Sequence, residues 1–360
     1  PERIDLPPAA ISGTHLVQVS GHDGATSPDP YTLRVRTSDA VPEPGCLAST
    51  TRLGPNALTA PPPSTLAADT DTVFLVAPGR LAAQHGDTVA QQILDELAVT
   101  VAAGIHSSNA EVVAIDGAAA VDLAYAEFDA SPCDPESANG VVRAITGVLN
   151  PLLADRDVDH LVIVGDDTQI PFARLTDATS IANERGYASA VSAQGHVAGS
   201  LRRGTYLSDD PYADPSPIAA GARQVHLPDV AMGRLVETPA QIIGALQQFV
   251  ATDGLLDPTS GAVAAGYDFL RDGTDDVATA LAASAFGSPT ELNDDSWTRA
   301  DLLALLGIGG TGWDGPAAAS IAAHYDHSRA LPALDADQMR RFPEGQRVPV
   351  RRGQLPILVT

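Results

Sequence analysis

Short runs of apolar residues alternate along most of the chain with longer stretches in which apolar positions recur every three or four residues. Thr72-Val73-Phe74-Leu75-Val76 has no polar face, as a strand covered on both sides requires. Val89 to Leu97 has helical spacing, Glu111 to Ile115 is a second strand, and Ala138 to Leu153 is a helix carrying Val141, Val142, Ile145 and Val148. His160-Leu161-Val162-Ile163-Val164 is the clearest strand and ends on Gly165. A loop-rich insertion follows at about 175–225, then a strand over Leu227 to Gly233. Thr238-Pro239 opens a helix through Ile242, Ile243, Leu246 and Val250, with Thr as N-cap and Pro at the first position. The alternation restarts near Asp257-Pro258. Ala262 to Phe269 reads as a strand, Thr274 to Ala285 and Arg299 to Leu306 as helices, and Ala317 to Ala323 as a strand running into His324. Leu355 to Thr360 reads as one more strand.

Alternating strands and helices predict an α/β fold with mainly parallel sheets and helices on both faces. Ligand and catalytic groups in such folds sit at the carboxyl ends of strands. The N-terminal part differs. In residues 1–38, Tyr31, Leu33 and Val35 alternate with Thr32, Arg34 and Arg36, which predicts the end of a β-sandwich domain. Residues 39–70, with Pro61-Pro62-Pro63, read as a Pro-rich linker. Residues 71–256 then form a first α/β subdomain and 257–360 a second.

Charge and composition exclude some partners. The net charge of −24 repels nucleic acid and anionic membranes, and no apolar run reaches the roughly 18 residues of a membrane helix. All 21 basic residues are arginine, which reads as compositional bias rather than a functional signal. Cys46 and Cys133 are too few for a disulfide scaffold or a four-cysteine zinc site, but they suffice for one bridge in an exported protein. The start at Pro1, without a leader pattern, predicts a piece of a longer protein whose signal peptide lies upstream.

Several motifs carry candidate chemistry. Gly307-Ile308-Gly309-Gly310-Thr311-Gly312 fits G-x-G-x-x-G but follows a helix rather than a strand, so the dinucleotide reading fails. Asp166-Asp167 leaves a strand end, where paired carboxylates hold Mg²⁺ or cap a turn; the cap is the favoured reading. Asp209, Asp210 and Asp214 form an acidic loop with Ca²⁺-ligand character. His85 and Cys133 suggest a dyad, but Asp134 and Glu136 beside the thiol would raise its pKa. His324-Tyr325-Asp326-His327 is the strongest cluster, because a histidine at a parallel strand end is placed for acid–base work. The residues alone leave three readings of it open: catalysis, an H-x-x-H metal pair, or two surface histidines.

Taken together, His160 to Phe172, Ser208 to Asp214, and Pro228-Asp229-Val230-Ala231-Met232-Gly233-Arg234-Leu235 resemble the gingipain-type cysteine peptidases. The likeness covers roughly residues 71–360, and Tyr31 to Arg36 looks like the tail of a bacterial pre-peptidase C-terminal β-domain. The resemblance implies a caspase-like three-layer αβα fold in two subdomains. It implies a cysteine endopeptidase of polypeptide substrates, extracellular or at the cell surface, needing no cofactor, with structural calcium as its metal. His324 falls where the family's histidine falls; His327 is the second candidate, since the family's His-Gly pair is His324-Tyr325 here. The nucleophilic cysteine is expected just after Thr360, so these 360 residues alone are expected to be inactive. A non-catalytic scaffold on the same fold and a metal-dependent hydrolase using His324 and His327 are the alternatives.

Overall fold

The computed structural model describes residues 57–331 and 348–349, apart from 106–107, 155, 180–182, 190, 192–194, 221–222, 237, 295, 308–314 and 327–328. Strand β1 (Thr72–Val76) is followed by helices α1 (Pro78–His85) and α2 (Asp87–Ala103). Next come β2 (Ala110–Ala114), α3 (Ala119–Ala130), α4 (Pro135–Leu153) and β3 (His160–Val164). The insertion holds β4 (Ala173–Thr176), α5 (His196–Arg202), β5 (Thr205–Ser208), α6 (Asp210–Ala213), β6 (Ile218–Ala220) and β7 (Arg223–Val225). It leads to β8 (Ala231–Leu235) and α7 (Pro239–Ala251).

The first sheet runs β2-β1-β3-β8, all parallel. Successive residues of a strand face opposite sides, and β1 feeds two cores. Val73 and Leu75 pack with residues of α3 and α4, including Tyr125, Phe128, Val141 and Ile145. Phe74 and Val76 pack with Leu81, Ile93 and Leu97 of α1 and α2 and with Ile242 and Leu246 of α7. The result is three layers, helix–sheet–helix. Val76 is in register with both Ala114 and Val164, so the three carboxyl ends finish level.

The second sheet is built from β9 (Ala262–Gly266), β10 (Thr290–Asn293) and β11 (Ala318–Ala322), with helices α8 (Arg271–Ala282) and α9 (Arg299–Leu305) between them. Its order is β10-β9-β11, again parallel. Val263, Ala265, Ala319 and Ile321 share a core with Leu302 and Leu306. On the other face α8 comes so close to β9 that a Cβ on Gly266 would overlap Thr274 Oγ1. A separate antiparallel sheet joins β12 (His324–Asp326), β13 (Arg329–Leu331) and β14 (Val348–Pro349). The chain is therefore a mixed α/β protein of mainly parallel sheets, consistent with the expected three-layer arrangement.

Some expectations moved. The strand expected over Leu227 to Gly233 forms at Ala231–Leu235 instead. Leu227 is exposed, and Pro228 has no N–H to give a ladder. Helix α3 escaped notice because alanines dilute its periodic Val121, Tyr125 and Phe128. The described end of the linker does not hang free as a spacer. Leu66 and Thr70 are buried, Glu111 accepts from Ala67 N at 2.6 Å and from Thr70 Oγ1, and Pro61 lies against Gly117. Residues 60–70 thus run beside β2, an edge strand, where prolines discourage further pairing. Residues 1–56 and Leu355 to Thr360 lie outside the described residues. Among the described residues, no helix is long and apolar enough to cross a membrane.

Candidate active site at the strand ends of the second sheet

Each parallel sheet offers a carboxyl edge where a site could sit, and the two edges differ in kind. At the first, charged side chains are turned inward and consumed by one another. Arg80, just after β1, is buried, pairs with both oxygens of Asp129 (2.9 and 3.2 Å), donates to Thr168 O and stacks 4.1 Å over the Tyr125 ring. Burial lifts the Tyr125 phenol well above its usual value, and its O–H donates to Gln169 O. Arg234, at the end of β8, holds Asp209 with two nitrogens, donates to Gly165 O and Ile170 O, and lies 4.1 Å over Phe172.

Asp167 is a further buried charge. Arg174 grips both its oxygens at 2.6 Å, and His196 Nε2 lies 2.7 Å from one of them. Burial pushes the Asp167 carboxyl up, but the Arg174 charge and the hydrogen bonds from His196 and Arg174 outweigh it. The group is held well below the usual carboxylate range. Asp116 shows the opposite balance. Burial raises it despite N–H bonds from Gly79 (2.5 Å) and Arg80 (3.2 Å), and its Oδ1 has no hydrogen-bond partner. Asp166 caps its own loop, accepting from Thr168 N at 2.7 Å and Thr168 Oγ1 at 2.6 Å. The pair Asp166-Asp167 is a turn cap plus a buried ion pair.

The second edge carries aromatic rings instead. β9 is its central strand, and Gly266 ends level with Ala322 of β11. Ala323 alone separates that end from His324, which starts β12 in register with Leu331. Just past the end of β9, Tyr267 stacks on Trp297 with ring centroids 4.4 Å apart, and Phe269 extends the stack at 6.4 Å from Tyr267. Trp297 Nε1 donates to Gly266 O at 3.0 Å, which locks the indole to the strand end. Tyr267 and Trp297 are buried while Phe269 is 42 % exposed, so the stack offers one ring to solvent. Asn293 ends the neighbouring β10 and Asp294 follows it. Asn293 donates to Asp275, and the hydroxyl and N–H of Ser296 keep the Asp294 carboxyl below its ordinary range. A capping box between Thr298 and Asp301 fixes the start of α9 there.

The sequence candidates fare unevenly. His324 sits at this edge; His327 lies outside the described residues. Asp209, Asp210 and Asp214 are far from forming a shared cage. Asp209 is paired with Arg234, and Asp214 accepts from Ser216 N, Leu227 N and the His226 ring. Among the described residues, no three His, Cys, Asp or Glu side chains are grouped to hold a metal. His85 ends α1, and Cys133 is in a disulfide, so they make no dyad. Gly307 is followed by residues outside the described set. Sequence reasoning missed the aromatic stack and the buried arginines. The signal available for the latter was Arg174 and Arg234 inside strand-like runs of an acidic chain. Comparison with family models, with curated proteins and with solved structures returned no match.

Proposed function

We propose that this chain forms the histidine-bearing part of a gingipain-like cysteine endopeptidase of caspase-like fold, acting on polypeptides outside the cell. The observation that carries the reading is His324, one residue past the end of β11 at the carboxyl edge of the second sheet. The motif resemblance supports the same assignment from the sequence side. The thiol is not Cys133, whose sulfur is bridged; by the resemblance it follows Thr360. A disulfide also suits an oxidising compartment.

In this mechanism the thiolate attacks the peptide carbonyl carbon while His324 holds the thiol proton. Backbone N–H groups at the strand ends stabilise the oxyanion, and histidine passes the proton to the leaving amine. Water then cleaves the thioester and restores both groups. The test is turnover of peptide substrates by the complete protein. His324→Ala is expected to lower kcat at least about 10³-fold, in the range set by removal of a general base. His327→Ala is the control for the second candidate. If both variants keep full turnover the reading fails. Loss on chelation with indifference to thiol reagents would move the protein to the metal-dependent hydrolases.

A further inference from the structure

Residues 58–66 pass across the edge of the first sheet from one face to the other. Leu58 packs against the core that α1, α2 and α7 share, and Leu66 is buried in the core of α3 and α4. Between them the chain presses on the turn after β2. A Cβ on Gly117 would lie 2.6 Å from Pro61 N and 2.8 Å from Ala60 O, so the crossing needs a residue without a side chain beneath it.

Asp116, the residue before that glycine, is buried. Its carboxylate is approached by the N–H groups of Gly79 and Arg80, at the start of α1, and by that of Ala60 in the crossing segment. Its Oδ1 has no hydrogen-bond partner. Charged neighbours do not relieve it. The Arg80 guanidinium is spent on Asp129 of α3 and on Thr168 O. Tyr125 of α3 also senses Asp116 and Asp129, and burial holds its phenol neutral. Residues 57–61 carry no titratable side chain. A charged carboxylate with a dry, unpaired oxygen is costly only while the segment is seated, because water reaches Oδ1 once it lifts. The seated form therefore binds the proton more tightly than the lifted one.

We propose that Asp116 is a proton-operated latch for residues 58–61: neutral, it lets the segment sit on Gly117, and charged, it loosens the segment from the end of β2. The direction agrees with the balance at the carboxyl, where burial outweighs the N–H groups and raises it above its ordinary 3.8. Seating is then favoured below that ordinary value, weakens as pH rises through the raised one, and levels off above it.

Amide hydrogen exchange on the full chain from about pH 4.5 to 7.5, corrected for the intrinsic effect of pH, tests this. Opening at Leu58, Thr59 and Ala60 is expected to increase about threefold or more with rising pH, while Ala262–Gly266 of the second sheet keep their protection. Asp116→Asn has no charge at this position at any pH, so its profile is expected to be flat. Gly117→Ala unseats the segment by contact, so fast exchange is expected at the low-pH end as well. Opening that does not change with pH in the unmodified protein would overturn the proposal. So would a slope that Asp116→Asn retains, or one that Ala262–Gly266 share, since the whole chain would then be responding. Should Asp116→Asn not fold, Gly117→Ala decides, because a slope that persists there overturns the latch.

Discussion

At the residue scale, buried charge is where this protein's stability is most exposed to pH. Arg174 is fully buried and Asp167 nearly so, and removing one partner of such a pair strands the other in a dry interior. Asp167→Asn is isosteric, yet it is expected to cost about 3–5 kcal/mol at neutral pH, read by urea unfolding. The sign with pH follows from the depressed carboxyl. A group whose folded value lies below its ordinary 3.8 contributes stability above that value and loses it as pH falls towards the folded one. The gap between wild type and Asp167→Asn should hold from pH 8 to about 5 and narrow below pH 4. A gap that is flat down to pH 2 would mean that the charge is not what holds Arg174. Such pairs were hard to read beforehand, because Asp166-Asp167 looks the same in sequence whether it binds a cation, caps a turn or meets an arginine in the core.

At the element scale, packing between β9 and α8 depends on Gly266 having no side chain. Gly266→Ala is expected to destabilise by about 1–3 kcal/mol, since the new methyl must displace Thr274 against backbone. Because Gly266 also accepts from Trp297 Nε1, the change should loosen the aromatic stack. Near-ultraviolet circular dichroism reports that, and an unchanged spectrum with unchanged stability would refute the tight contact. The second sheet also shows how far elements were legible. β1, β3 and β9 were readable because strands buried on both faces are apolar throughout, and α7 because Thr238 and Pro239 mark its start. β8 was displaced because an edge strand half in water carries a weaker apolar signal. The short pieces of 175–225 were not legible at all, because their cohesion comes from Arg174, Asn139 and Cys133, contacts made at long range. For the site, the sequence supplied His324 from its position after a strand. It could not supply Tyr267, Phe269 and Trp297 as one stack, because their neighbourhood arises only when β9 and the loop after β10 come together.

At the scale of the whole molecule, the disulfide at Cys133 organises one part of the chain and leaves another outside its reach. Cys133 stands between α3 and α4 of the first subdomain and is disulfide-bonded. A disulfide reduces the freedom of the unfolded chain by an amount typically worth about 2–4 kcal/mol in the chain-entropy picture. Cys133 is buried against α5, so a reductant meets the bridge mainly when the first subdomain opens. Equilibrium urea unfolding with reductant should therefore show a lower midpoint for residues 71–256. Cys133→Ser should show the same lowered midpoint without reductant and no further shift with it. The second sheet begins well after Cys133, and its core of Val263, Ala265, Leu302 and Ile321 is its own. Hydrogen exchange across Ala262–Gly266 is accordingly expected to be the same in Cys133→Ser as in wild type. Faster exchange there would show that the two sheets unfold as one unit, and the bridge would then stabilise the edge that carries His324 as well.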